Sequence, residues 1–258
     1  MTPYQTWISF YTIVRKDVLR MFRIWAQTFL PSVVTSILYF LVFGAFLGSK
    51  IGEIQGVPYV MFVVPGLVML AVITNSYANT SFVMFSAKFF GRNIDEILVS
   101  PTPPWVLVGG YITGGIIRGV LIGALVLLVS LFFTHLTIHS LFVIIVFLIL
   151  TSLVFALAGL VNGVYAKTID GINIIPTFVL TPLVYLGGVF YSTQALPEFW
   201  STLTKFDPVF YIINGFRYGF LGTSDVSIFL SVGLLVFFAL ILLCIAWYLI
   251  KTGLGLKQ

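Results

Sequence analysis

Six apolar stretches, each close to twenty residues long, decide what this chain can fold into: about 28–47, 58–77, 117–134, 140–161, 172–191 and 226–250. A hydrocarbon core about 30 Å thick takes about 20 apolar residues per helical crossing. Inside it every backbone N–H and C=O needs an internal partner, which an isolated apolar segment finds only as a helix. Charged residues make up 8% of the chain and hydrophobic ones 60%. A soluble domain carries about 25% charged residues, so this surface has to face lipid. The expectation is an all-α membrane protein: a cytoplasmic interfacial helix over 1–26, then one transmembrane domain over 27–254. The single cysteine, Cys244, lies in the last apolar run and reads as core filling rather than as half of a disulfide.

Residues 4–25 have a different pattern. At 100° per residue, Trp7, Phe10, Tyr11, Val14, Val18, Met21, Phe22 and Trp25 fall on an arc of about 120°. Lys16, Arg20 and Arg23 lie opposite. A helix of this kind rests in the interface, rings toward acyl chains and cations toward headgroups. No short apolar core with a small-residue cleavage site opens the chain, so insertion through the first span is expected.

The basic residues orient the bundle, because cytoplasmic loops are enriched in Lys and Arg. With the N-terminus inside, Arg15, Lys16, Arg20, Arg23, Lys88, Arg92, Lys167, Lys251 and Lys257 fall inside. Lys50, Lys205 and Arg217 fall outside, and Arg118 reads as an interfacial residue at the start of the third crossing. Six crossings return the C-terminus to the same side, so both termini are expected in the cytoplasm. Trp7, Trp25, Trp105, Phe199, Trp200, Trp247 and Tyr248 mark the boundaries as an aromatic belt.

Several chemistries are missing from the sequence. No glycine-rich loop ends in Gly-Lys-Ser/Thr, so the chain has no P-loop for ATP. All eight acidic residues (Asp17, Glu53, Asp95, Glu96, Asp170, Glu198, Asp207 and Asp225) map to loops or ends rather than to spans. Ion-coupled carriers keep such groups inside the membrane. His135 and His139 share a helical spacing but have no cysteine or carboxylate near them in sequence, so no metal site is expected. No Gly-x-Ser-x-Gly elbow marks a nucleophile. Neither catalytic residues nor a nucleic-acid partner are expected.

Three segments stand out. The inner connection from Phe82 to Pro104 mixes apolar residues with Lys88, Arg92, Asp95 and Glu96, as a short helix that docks into a partner's groove would. Gly115, Gly119 and Gly123 recur every four residues and allow close helix approach, either within one bundle or between two subunits. Pro176 and Pro182 interrupt the fifth apolar stretch. The outer connection after it, with Pro197, Asp207, Pro208 and Arg217, has no hydrophilic loop and reads as short re-entrant helices between the fifth and sixth spans.

The last of these segments carries a resemblance. Pro176, Pro182, Gly187 to Tyr191, Leu196-Pro197, Asp207-Pro208 and Arg217 together resemble the signature of ABC-2 type transport permeases. Residues 92–101 resemble that family's cytoplasmic coupling segment, and Val64-Pro65-Gly66-Leu67 its second span. The likeness covers nearly the whole chain and is closest to small inner-membrane permeases of Gram-negative bacteria, the group with nodulation-factor and drug exporters. It implies a homodimer served by a separate cytoplasmic ABC ATPase, which would hold ATP and magnesium while this chain binds no cofactor. It further implies contact of Lys88, Arg92, Asp95 and Glu96 with that ATPase. The cargo would be a lipid, a glycolipid or polysaccharide, or a hydrophobic drug, moved outward. The alternatives are an ion-gradient carrier of amphiphiles and a non-transporting scaffold. The absence of span carboxylates disfavours the carrier, and the partner-like inner loop weakly disfavours the scaffold.

Overall fold

In the computed structural model, residues 1–54, 56–90, 100–193 and 196–256 are described. Helix α1, Pro3–Arg23, starts on a capping box in which Thr2 Oγ1 accepts from the Gln5 N–H and Gln5 Oε1 accepts from the Thr2 N–H. Helix α2, Trp25–Tyr39, runs on into a π-helical segment, Phe40–Leu47, and a last turn, α3, Gly48–Ile51. A two-residue hairpin pairs β1, Glu53–Ile54, with β2, Val57–Pro58. Then come the long helices α4, Tyr59–Phe89, α5, Pro104–Ser130, and α6, Leu141–Tyr165. Helix α7, Ile169–Ile175, a π-helical turn, Pro176–Leu180, and α8, Thr181–Leu186, form one continuous rod. Two helices of the outer connection follow, α9, Glu198–Lys205, and α10, Pro208–Leu221, before α11, Ile228–Thr252.

Six of these segments are long and apolar enough to cross a bilayer: Trp25–Gly44, Tyr59–Phe89, Pro104–Ser130, Leu141–Tyr165, Ile169–Leu186 and Ile228–Thr252. The protein is an all-α membrane protein. Helix α4 is its axis, with α5 and α6 packed along it and most of its residues between Phe62 and Phe85 buried. Small residues make that seam tight. A Cβ on Gly115 would meet Thr80 and Ala156, one on Gly119 would meet Ser76 and Ser152, and one on Gly123 would meet Val72 and Leu148. Gly159 and Gly163 of α6 lie against backbone carbonyls of Tyr77 and Ser81 on α4. Asn162 Nδ2 ties the seam's end, donating to Ser81 Oγ and to the Ile172 carbonyl, both at 3.0 Å. The Gly115–Gly119–Gly123 series thus faces this chain's own α4 and α6.

Several boundaries differ from the expectation. The helix of the third apolar stretch starts at Pro104, well before Arg118. Helix α5 is continuous from Pro104 to Ser130, and Arg118 lies within it, bonded to Asn79 and Asn75 of α4. Helix α4 runs twelve residues past Tyr77, so Asn79 and residues 82–89 are helix rather than loop. Its polar side chains turn inward: Thr80 Oγ1 bonds to the Ser76 carbonyl of its own helix at 3.1 Å. Pro176 and Pro182 do not break the fifth helix. The π turn absorbs them, with the Thr181 N–H and Oγ1 both donating to the Pro176 carbonyl five residues back. That helix ends at Leu186 rather than Tyr191. Cys244 is exposed on α11 rather than core filling, since α11 packs mainly on α6 and turns the rest of its surface outward.

Candidate functional site

Helix α1 has three faces, not two. Trp7, Tyr11 and Phe22 are exposed, as is Trp25 at the start of α2, which suits an interfacial helix. A neighbouring face packs on α5, and α5 meets it with glycines. Phe10 covers Gly109, Ile13 covers Gly110, and the Asp17 carboxylate sits on Gly114, where a Cβ would displace it. Asp17 is therefore buried although it lies in no span, and Arg20 turns from the cationic face toward the bundle. This corrects the two-faced reading of residues 4–25. Contact with α5 is set by small residues on α5, which the pattern of α1 does not contain.

A polar cluster forms there. Arg20 Nη2 donates to Asp17 Oδ1 and to Asn79 Oδ1, both at 2.8 Å. Asn79 Nδ2 donates to Asp17 Oδ2 at 2.8 Å. Arg118 of α5 reaches Asn79 Oδ1 at 3.3 Å and Asn75 Oδ1 at 3.4 Å. Asn75 Nδ2 continues the chain to Ser32 Oγ of α2 at 3.2 Å. Four helices are thus joined by one run of hydrogen bonds. Asn75 and Asn79, four residues apart in an apolar helix, were the signal in the sequence that this cluster existed.

From Asn75 and Ser32 a groove of about 310 Å³ opens between α2, α4 and α8. Leu67, Leu70 and Ala71 form its floor; Thr35, Ser36, Tyr39, Thr74, Thr181 and Tyr185 line it with hydroxyls. Three of these donate within their own helices: Thr74 to the Leu70 carbonyl at 2.8 Å, Ser36 to the Ser32 carbonyl at 2.7 Å and Thr181 to the Pro176 carbonyl at 2.9 Å. Their lone pairs remain for a guest. Among the described residues the groove is lined without a formal charge. Both of its walls, α2 and α8, adjoin π-helical segments, a feature frequent at functional sites.

The residues singled out from sequence fall in separate places. Lys88 ends α4 with Nζ 3.1 Å from the Val164 carbonyl and 5.1 Å from the Phe89 ring centre. Arg92, Asp95 and Glu96 lie outside the described residues. Pro197 precedes α9 as its N-cap, and Pro208 is the first residue of α10. Arg217 is buried and caps carbonyls: Nη2 donates to Gly188 at 2.8 Å and Nε to Phe62 at 3.3 Å, with the guanidinium 3.7 Å from the Phe62 ring centre. It ties α10 to α4 and to the turn after α8. Among the described residues no three His, Cys, Asp or Glu side chains gather as metal ligands, and His139 instead packs edge-on against Tyr218.

Asp207 caps α10, with Oδ1 accepting from the Val209 N–H at 2.8 Å and Oδ2 buried without a partner. Burial pushes its carboxyl up to about 7, against the lowering effect of the Val209 bond. A folded-state value above the unfolded one makes stability greatest at low pH and lowers it as pH rises toward 7. The thermal midpoint of the solubilised protein is expected to fall between about pH 4 and about pH 7, and Asp207→Asn, which can still cap, to flatten that fall. An equal slope in both proteins would exclude Asp207 as its origin.

Comparison with known proteins agrees with the fold. The family model described as "ABC-2 type transporter" matches residues 8–221. The inner membrane transport permease YadH of Escherichia coli strain K12 is 50% identical over 252 residues, covering 98% of each chain. Nodulation protein J of Rhizobium meliloti strain 1021 is 23% identical over 91% of this chain and 88% of its own. Nodulation protein J of Rhizobium leguminosarum bv. trifolii is 26% identical over 80% and 78%. With one family model spanning most of the sequence and a relative matching end to end, the chain belongs to the ABC-2 type transporter family.

Proposed function

We propose that the chain is the membrane half of an ATP-driven exporter, working as a homodimer with a cytoplasmic ABC ATPase that binds the ATP and magnesium. The groove between α2, α4 and α8 is the observation that carries the reading. It combines an apolar floor with uncharged hydroxyls, which suits an amphiphile: a lipid, a glycolipid or polysaccharide, or a hydrophobic drug. Helices α2 and α8 bury little of their surface within one chain, leaving them free to meet a second copy so that two grooves would face one path. The end of the bundle carrying α1 and the inner ends of α4 and α5 is the cytoplasmic end, with both termini there, following the excess of Lys and Arg.

The ATPase would press on residues 82–101, which begin as the last turns of α4, and on α1 beside them. The permease, co-expressed with its ATPase and purified by a tag on the permease, tests this. Arg92→Glu or Glu96→Arg is expected to lower ATPase recovery about tenfold, the equivalent of about 1.4 kcal/mol, while membrane insertion stays the same. Unchanged recovery and unchanged ATPase stimulation in both variants would remove the coupling role, and uptake of an amphiphile by the ATPase-free permease on an ion gradient would favour a carrier.

A further inference from the structure

Two guanidiniums and one carboxylate meet where α1 joins the bundle, and the described residues leave the extra positive charge without a counterion. Both Asp17 oxygens have donors, Oδ1 from Arg20 and Oδ2 from Asn79. Arg118 has only neutral acceptors, at the long distances of 3.3 and 3.4 Å. One of them, Asn79 Oδ1, also receives Arg20 at 2.8 Å, so two like charges face each other across a single amide oxygen. The Nε of each arginine is buried with no acceptor. Arg20 forms its ion pair with Asp17, Nη2 to Oδ1, at 2.8 Å.

A cation at membrane depth is stable when paired or wetted. Phosphate matches guanidinium well, through charge-assisted and often paired hydrogen bonds. With α1 in the interface, where its exposed Trp7, Tyr11 and Phe22 suit it, headgroup phosphates would stand at this depth. The Arg20 side chain keeps 31% of its surface exposed and Arg118 is half-buried, so each keeps some surface that an anion could meet. We propose that Arg20 and Arg118 bind the phosphate of an inner-leaflet phospholipid, held as a resident ligand at the seam between α1 and the bundle. The phosphodiester balances the second guanidinium and fixes α1 to its leaflet. The site is independent of the transport reading, since it is measured on the permease alone with no substrate.

The test is native mass spectrometry of the full-length permease in detergent, titrated with phosphatidylglycerol, with diacylglycerol of the same chains, and with inorganic phosphate. One phosphatidylglycerol per chain is expected to bind about tenfold more tightly than diacylglycerol, and millimolar inorganic phosphate to leave it in place. Arg118→Gln should abolish the preference, while Arg23→Gln, an exposed cation elsewhere on α1, should keep it. Where Arg118→Gln fails to insert, Arg118→Lys carries the test: it keeps the charge but loses the fork, so an intermediate preference supports the site. Equal preference in wild type, Arg118→Gln and Arg118→Lys overturns the proposal, as does an equal loss in Arg23→Gln, which would mark general attraction to the helix. Displacement of the lipid by inorganic phosphate overturns the lipid as the ligand.

Discussion

Gly159→Ala is expected to lower the stability of the folded permease by about 3 kcal/mol, the upper end of what overpacking costs a well-filled interior. The new methyl group would meet the backbone carbonyl of Tyr77, with Thr80 Oγ1 2.5 Å away. A flexible side chain could swing aside, but a carbonyl in the middle of α4 cannot move without that helix. The two helices must separate, and the loss runs along the seam that holds Gly163 against Ser81 and Gly119 against Ser152. In a membrane such packing is a principal source of helix association, because lipid tails are as apolar as the side chains they replace. Gly233→Ala on α11 is the control, since nothing lies within 4 Å of its added Cβ. Thermal unfolding followed by size-exclusion recovery in detergent separates the cases. Equal midpoints for the two variants would mean that the α4–α6 approach is looser than described.

The spans were legible because hydrocarbon imposes length and apolarity on each of them separately, and no other part of the protein is needed to see it. What pairs with what was less legible. Gly115, Gly119 and Gly123 announced a close approach, but a four-residue spacing carries no sign of whether the neighbour is the same chain or another. The α4 carbonyls that meet Gly159 and Gly163 are backbone and leave no trace in residue type. Proline misled at Pro176, where a π turn accommodates it without ending the helix. The groove was out of reach for a similar reason. Its hydroxyls come from α2, α4 and α8, segments far apart in sequence, and each Ser or Thr alone is ordinary in a transmembrane helix.

The charged cluster was missed through the assumption that a polar residue on an amphipathic helix points to water. Arg20 read as part of the cationic face and Asp17 as one of the acidic residues outside the spans. The structure turns them onto Asn79 because Gly114 leaves a hole and Arg118 supplies a second cation nearby. As a member of the ABC-2 type family the chain is a non-catalytic membrane subunit whose ATPase is a separate chain. A buried charge network in such a subunit has no reaction to serve. Its effect is mechanical, since it fixes how α1 sits on α5.

Arg20→Met should therefore undock α1 rather than unfold the bundle. Removing one partner of a fully buried ion pair costs about 3–5 kcal/mol. Arg20 retains 31% of its side-chain exposure and the pair keeps some solvent screening, which lowers the expected cost to about 1–3 kcal/mol. The remaining Asp17 carboxylate, 4% exposed, would keep only the Asn79 bond at 2.8 Å. Holding it there as an anion costs more than releasing α1 into the interface, where its Trp and Tyr rings already favour lying. Hydrogen exchange should rise tenfold or more, about 1.4 kcal/mol per decade, over Pro3–Arg23 while α4 and α6 stay protected. Asp17→Asn in the same background removes the buried charge and should restore most of the protection, because an amide can still bond with Asn79. Protection unchanged in Arg20→Met, or a double variant as exposed as the single one, would mean that α1 is held by Phe10, Ile13 and Met21 on their apolar contacts alone.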